Sequence, residues 1–147
     1  MDTATAALSF HSQLQEQAAK FYEKLAHRFV DNKEKFLSFA KEHRKHQKDV
    51  QRAYNYIITD AMEACFAFEG MNEDDYKIFT ELKENITFTD AMKLATTIED
   101  KTYNFCVDGA ERSKGMLHDV PEALEIVAKR TLRRKQALQS LLRKKKL

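Results

Sequence analysis

Phe36-Leu37-Ser38-Phe39-Ala40-Lys41-Glu42-His43-Arg44-Lys45-His46 opens a run that reaches Ile58 and settles the class of fold. Its apolar residues recur at helical spacing, as Phe36, Phe39/Ala40, then Val50, Ala53/Tyr54 and Ile57. His43 and His46, three apart, continue that stripe through its middle. The inward face of a long helix therefore carries two imidazoles where packing alone asks for Leu or Ile. Such a pair is either a satisfied polar patch or part of a metal site, and the satisfied patch is the preferred reading.

Working outward, the segment before this helix reads as another. From about Thr5 to Phe29 the stripe is Leu8, His11, Gln15, Ala18/Ala19, Tyr22, Leu25/Ala26 and Phe29, with Gln15 polar in mid-stripe. Asp31-Asn32 breaks the chain and Glu34 falls in the first turn of the second helix, which is expected to reach the mid-60s. Between about Phe68 and Phe88 the pattern weakens around Gly70, Asn72 and Asp74-Asp75, with a short helix expected over Asp75–Leu82. Thr87 or Thr89 caps a third helix running to about Ser113, its stripe being Phe88, Met92, Ala95, Glu99, Thr102 and Phe105/Cys106. Gly115 ends it. Asp119, Pro121 and Glu122 then open a fourth helix, directed toward Lys144, with the stripe Leu124, Val127/Ala128, Thr131, Arg134, Leu138 and Leu141. Glu99 and Arg134 are thus both placed inward, unusual for their types.

Connection lengths constrain the topology. Helices one and two, and helices three and four, are joined by a few residues and so form antiparallel hairpins. The link between two and three is around twenty residues, enough to travel the length of the assembly. The expectation is an all-α chain, residues 1–147 as a single domain, folded as a four-helix bundle with one long crossover between helices 2 and 3, the ferritin-like arrangement.

Composition agrees and closes off other classes. Three Gly and one Pro in 147 residues leave little material for turns or sheets. No apolar run is long enough to span a bilayer, and Met1-Asp2-Thr3 begins no basic-then-apolar leader, so neither membrane nor signal peptide is expected. Cys65 and Cys106 are isolated and read as reduced thiols, which makes the cytoplasm the expected compartment. The lack of any Cys-x-x-Cys removes structural zinc and rubredoxin-type iron. The basic end, Arg143-Lys144-Lys145-Lys146, reads as a solvated helix terminus suited to the helix dipole, because no aromatics are interleaved with it, and no nucleic-acid partner is expected. His11 and His27 read as face or rim residues, His118 as solvated, and Cys106 as a packed thiol.

The two halves echo one another. Gln15-Glu16-Gln17-Ala18-Ala19-Lys20-Phe21-Tyr22 matches Glu99-Asp100-Lys101-Thr102-Tyr103-Asn104-Phe105-Cys106. Both resemble the rubrerythrin pattern of a ligating Glu followed seven residues later by an inward Tyr. Ala40 to His46 is similar to that family's second-helix motif, in which a Glu and a His three apart supply ligands, and Ala128 to Leu141 has the shape of the matching fourth-helix segment. The resemblance covers nearly the whole chain. It implies a binuclear iron or manganese centre held by one Glu on each of two helices and Glu-x-x-His on each of the other two. Carried over residue by residue, the first-helix Glu falls on Gln15, the second-helix Glu on His43 and its His on His46. The third-helix Glu is kept as Glu99. In the fourth helix the Glu falls on Thr131 and the His on Arg134, or, one residue on, on Leu132 and Lys135. Tyr22 is kept and its counterpart is Cys106.

Charge then weighs against the family's chemistry. Two divalent ions need roughly four carboxylates in a low-dielectric core, and of the carried-over positions one, Glu99, is a carboxylate. Arg134 adds a cation that cannot shed its proton. The expected arrangement is a Glu99–Arg134 ion pair extended by His43, His46, Gln15 and Thr131, with no cofactor. That predicts a protein related to the rubrerythrins whose binuclear site is degenerate, not a competent di-iron oxidase or peroxidase. It would serve as a non-catalytic interaction or scaffold protein, a homodimer pairing through exposed aromatics such as Phe10 and Tyr56. The alternative is a mononuclear iron or zinc site using His43, His46 and Glu99, in an oxidoreductase or metal carrier.

Overall fold

The computed structural model describes residues 1, 3–55, 67–115 and 119–146. Four long helices account for most of them: α1 (Ala4–Arg28), α2 (Lys33–Asn55), α3 (Phe88–Ser113) and α4 (Val120–Lys146), and no strand occurs among the described residues. Local chemistry sets the ends. Thr3 caps α1, its hydroxyl accepting from the Ala6 amide at 3.0 Å. A single 3₁₀ turn, Val30–Asn32, joins α1 to α2. Of the two candidate caps for α3 it is Thr87 that is used, accepting from the Asp90 amide at 3.1 Å. Gly115 follows α3 with φ +83°, a conformation that suits a residue without Cβ. The stretch of α2 expected beyond Asn55 lies outside the described residues, as do Tyr56, Cys65 and His118.

Contacts fix the directions. Along α1 and α2, Gln15 faces His43, Tyr22 stacks on Phe36 and the Thr5 hydroxyl meets the Tyr54 hydroxyl at 2.9 Å, so the pair is antiparallel. Lys135 bonds Asp100 at 2.6 Å and Leu124 packs against Gly109, so α3 and α4 are antiparallel too. A Cβ at Gly109 would lie 3.2 Å from Leu124 and 3.3 Å from Phe68, which accounts for a glycine in mid-helix despite its cost of about 1 kcal/mol relative to Ala. Phe29 meets Phe88 at one end and Phe10 meets Phe105 toward the other, so α1 and α3 also run oppositely.

Residues 67–87, which lead into α3, run along the outside of α1 and α3. The Met1 amine bonds the Met71 carbonyl, Arg112 the Glu69 carbonyl, and the Tyr76 hydroxyl donates to Asp108 at 2.6 Å. Lys101 reaches the Asp75 carbonyl at 3.0 Å, and Arg28 takes the carbonyls of Lys83 and Glu84 at 3.0 and 3.1 Å. The short helix expected over Asp75–Leu82 is absent; one 3₁₀ turn, Glu73–Asp75, forms instead, and the chain beyond Tyr76 is irregular. The reason is distance. Twenty residues of α3 separate Asp108 from Phe88, about 30 Å at 1.5 Å per residue. The eleven residues after Tyr76 must cover most of that, which an extended chain at about 3.3 Å per residue can do and a helix cannot.

Two apolar clusters fill the interior. One gathers Leu8, Phe10, Leu14, Val50, Phe68, Phe105 and Leu124, the other Phe21, Tyr22, Leu25, Phe36, Met92, Ile98 and Leu138. Phe10, expected on the surface, is buried against Phe105, because its position on α1 faces α3. Between the clusters lies a layer of buried polar side chains.

Candidate functional site

That layer contains all six positions singled out from sequence, with every helix contributing: Gln15 from α1, His43 and His46 from α2, Glu99 from α3, Thr131 and Arg134 from α4. All are 0–2% exposed. Their depth follows from the helical stripes, since each sits where an apolar residue would otherwise face the interior.

Glu99 is the hub. Its Oε2 accepts from the Tyr22 hydroxyl, from His43 Nε2 at 3.0 Å and from Arg134 Nε at 2.8 Å. The rest of the guanidinium spreads across the layer. Nη1 donates to Glu42 at 2.9 Å and lies 3.3 Å from His46 Nε2, and Nη2 donates to the Thr131 hydroxyl at 3.3 Å. On the other side His43 Nδ1 meets the Gln15 amide at 2.6 Å, and that amide meets His11 Nε2 at 3.1 Å. The network thus runs from His11 through Gln15, His43, Glu99 and Arg134 to Glu42 at the rim.

Protonation follows from burial and charge. Burial pushes the Glu99 carboxyl upward, but Arg134 and His43 more than offset it and hold it far below the usual carboxylate range. Burial and then Arg134 lower His43 to about 4, while burial and the other two imidazoles lower His11 to about 3. Both rings are therefore neutral near pH 7. The structure sets Gln15 Oε1 against His43 Nδ1 and Gln15 Nε2 against His11 Nε2; a neutral His43 that donates from Nε2 to Glu99 must accept at Nδ1, which a half-turn of the Gln15 amide supplies by exchanging its N–H and its oxygen. Burial, then the neighbouring carboxylate, raises Tyr22 well above its ordinary value, keeping it a donor. Tyr22→Phe removes that donor and nothing else, and is expected to cost about 1.5–3 kcal/mol in urea unfolding, the range for a hydrogen bond to a charged group; an unchanged midpoint would mean the hydroxyl contributes nothing.

Two members of the network differ from the sequence-based reading. His11 was placed on a face or rim, yet it is 1% exposed and stacks on Phe105. Its signal was its place on the α1 stripe four residues before Gln15. Glu42 was quoted but given no role, and it supplies a second carboxylate to Arg134. Its signal was the spacing Phe39, Glu42, His46 along the face of α2 that meets α4. His27 is exposed. Cys106 is a buried free thiol raised by burial to about 12, so it is a packed side chain and not a nucleophile.

As arranged, the donor set does not suit a pair of divalent ions. It offers one deeply buried carboxylate, a second at the rim, and a permanent cation lodged between Glu99 and His46. Both His43 nitrogens are already in hydrogen bonds. Among the described residues no group of three or more His, Cys, Asp or Glu side chains is placed to share one ion. His46 Nδ1 and Glu99 Oε1 are buried without a hydrogen-bond partner among the described residues. No protein-family model, curated protein or solved structure matches the chain.

Proposed function

We propose that this is a rubrerythrin-related, ferritin-like four-helix bundle in which a buried ion-pair network takes the place of the binuclear centre, and that its role is non-catalytic, as an interaction or scaffold protein. The observation that carries this reading is the Arg134 guanidinium, bonded at once to Glu99, Glu42 and Thr131. A group with a fixed positive charge there opposes bound metal by Coulomb repulsion and occupies the donors that would ligate it. The route of residues 67–87 along α1 and α3 supports the ferritin-like topology.

A second reading is favoured by the two unpartnered atoms, His46 Nδ1 and Glu99 Oε1. If Arg134 swung away, His43, His46 and Glu99 would offer two imidazoles and a carboxylate to one iron or zinc ion. Elemental analysis separates the two. Protein purified from cells supplied with iron, manganese and zinc is expected to carry far less than one metal per chain, with the same trace level in His46→Ala. Stoichiometric metal that disappears in His46→Ala would replace the first reading by the second. The same preparation is expected to sediment as a homodimer, and a monomer at working concentration removes that part of the proposal.

A further inference from the structure

The side of the molecule where α2 meets α4 holds a surface cleft of about 360 Å³, lined by Phe39, Glu42, Arg130, Arg133, Arg134 and Ala137. That volume lies at the lower end of small-molecule sites. Three of its six lining residues are arginines. Arg134 points inward and is spent on Glu99, Glu42 and Thr131. Arg130 and Arg133 have no carboxylate partner among the described residues. Elsewhere on these helices Arg44 pairs with Glu16 and Glu23, Lys45 with Asp49 and Lys135 with Asp100, while Lys41, Lys48 and Lys129, like Arg130 and Arg133, have no ion pair among the described residues. Arg130 and Arg133 are three apart on α4, which places their stems side by side, about 5–6 Å between Cβ atoms, where like charges repel. Glu42 is the one carboxylate in the cleft, and its charge is already engaged by Arg134. The lining therefore carries three positive charges against one negative. Its two remaining lining residues, Phe39 and Ala137, form an apolar floor.

We propose that this cleft binds a small organic carboxylate, its head held between the Arg130 and Arg133 guanidiniums and its apolar body against Phe39 and Ala137. The guanidinium fork matches a carboxylate in two parallel hydrogen bonds, which a lysine pair would not provide. The apolar floor selects against a bare anion, since only a ligand with a hydrocarbon portion gains by covering it. This site opens at the rim of the buried layer, with which it shares Glu42 and Arg134, and does not depend on kinship with the ferritin-like proteins.

The test is an NMR titration of the full chain with benzoate and, separately, acetate, at constant ionic strength balanced with chloride, following the Arg Nε–H signals. Benzoate is expected to shift the Arg130 and Arg133 signals saturably and at least fivefold more tightly than acetate, which has the same head and almost no apolar body. Arg130→Ala and Arg133→Ala are each expected to weaken benzoate at least fivefold, the double variant to abolish saturation, and Arg133→Lys to restore only part of the affinity. Both arginines reach solvent, so the fold is expected to survive these changes, checked by an unchanged amide spectrum. Shifts that rise linearly, that spread equally over Arg28, Arg52 and Arg143, or that acetate and benzoate produce with equal affinity would overturn the proposal.

Discussion

Arg134→Ala is expected to destabilise the protein by about 3–5 kcal/mol, read as the drop in unfolding free energy from urea titration. The guanidinium has 0% side-chain exposure and is the only permanent cation bonded to Glu99 among the described residues. Removing it leaves a carboxylate with no solvent and no opposite charge, and also strips Glu42 and Thr131 of their donor. Such a loss is a large share of the 5–15 kcal/mol by which a domain is ordinarily stable. The double change Arg134→Met with Glu99→Gln removes both charges together. It keeps an acceptor for Tyr22 and His43, and is expected to cost well under half of the single change, because neutral groups of similar volume carry no uncompensated charge. A single-variant effect under about 0.5 kcal/mol would place the guanidinium in bulk water and refute the ion-pair layer.

Acid is expected to weaken the fold already between pH 7 and 5, above the range in which carboxylates titrate. His43 and His11 ionise near 6.5 when unfolded but at about 4 and about 3 when folded. Below pH 6.5 the unfolded chain takes up protons that the folded chain refuses, so stability falls with pH until the folded values are reached. Each histidine contributes a slope of about 1.4 kcal/mol per pH unit, or roughly 3–4 kcal/mol for the pair between pH 6.5 and 5. His46, also lowered by burial, acts in the same direction. Glu99 behaves differently. Its folded value is depressed, so its contribution is complete above the ordinary carboxylate range and is lost only as pH falls below about 4.5. Urea unfolding at pH 7, 6 and 5 measures the first phase, and His11→Gln is expected to cut its slope by about a third to a half. A free energy of unfolding that stays flat across this window would show that the rings are protonated, or exposed, in the folded protein.

Much of this site was legible before any coordinates. His43 and His46 three apart, Glu99 on the α3 stripe and Arg134 on the α4 stripe are periodicity statements, and an inward charged residue at helical spacing needs a partner wherever the helix docks. Glu42 was not legible in the same way. A residue at the boundary of the apolar face can point either way, and only the approach of α4 turns it toward Arg134. His11 differs: its place on the α1 stripe already pointed inward, and its stacking on Phe105 shows that the stripe was the better guide. The short helix that failed to form over Asp75–Leu82 illustrates the opposite limit, because its residues permit a helix but the span along α3 forbids one.

The sequence by itself determined the helical class, the breaks at Asp31-Asn32 and at Gly115 and the polarity of one interior layer, because each is a matter of local propensity and of period along one chain. Beyond the Glu99–Arg134 pair, which the sequence already led one to expect, the tertiary structure alone decided which donor meets which acceptor: that Arg134 also takes Glu42, that Tyr22 closes on the same Glu99 oxygen, and that Arg130 and Arg133 are left facing a cleft. Those pairings depend on the rotation and offset of one helix against another, set by the fit of Gly109 against Leu124 and of Phe10 against Phe105. Such packing couples residues nearly a hundred positions apart, and no reading of spacing within one helix contains it.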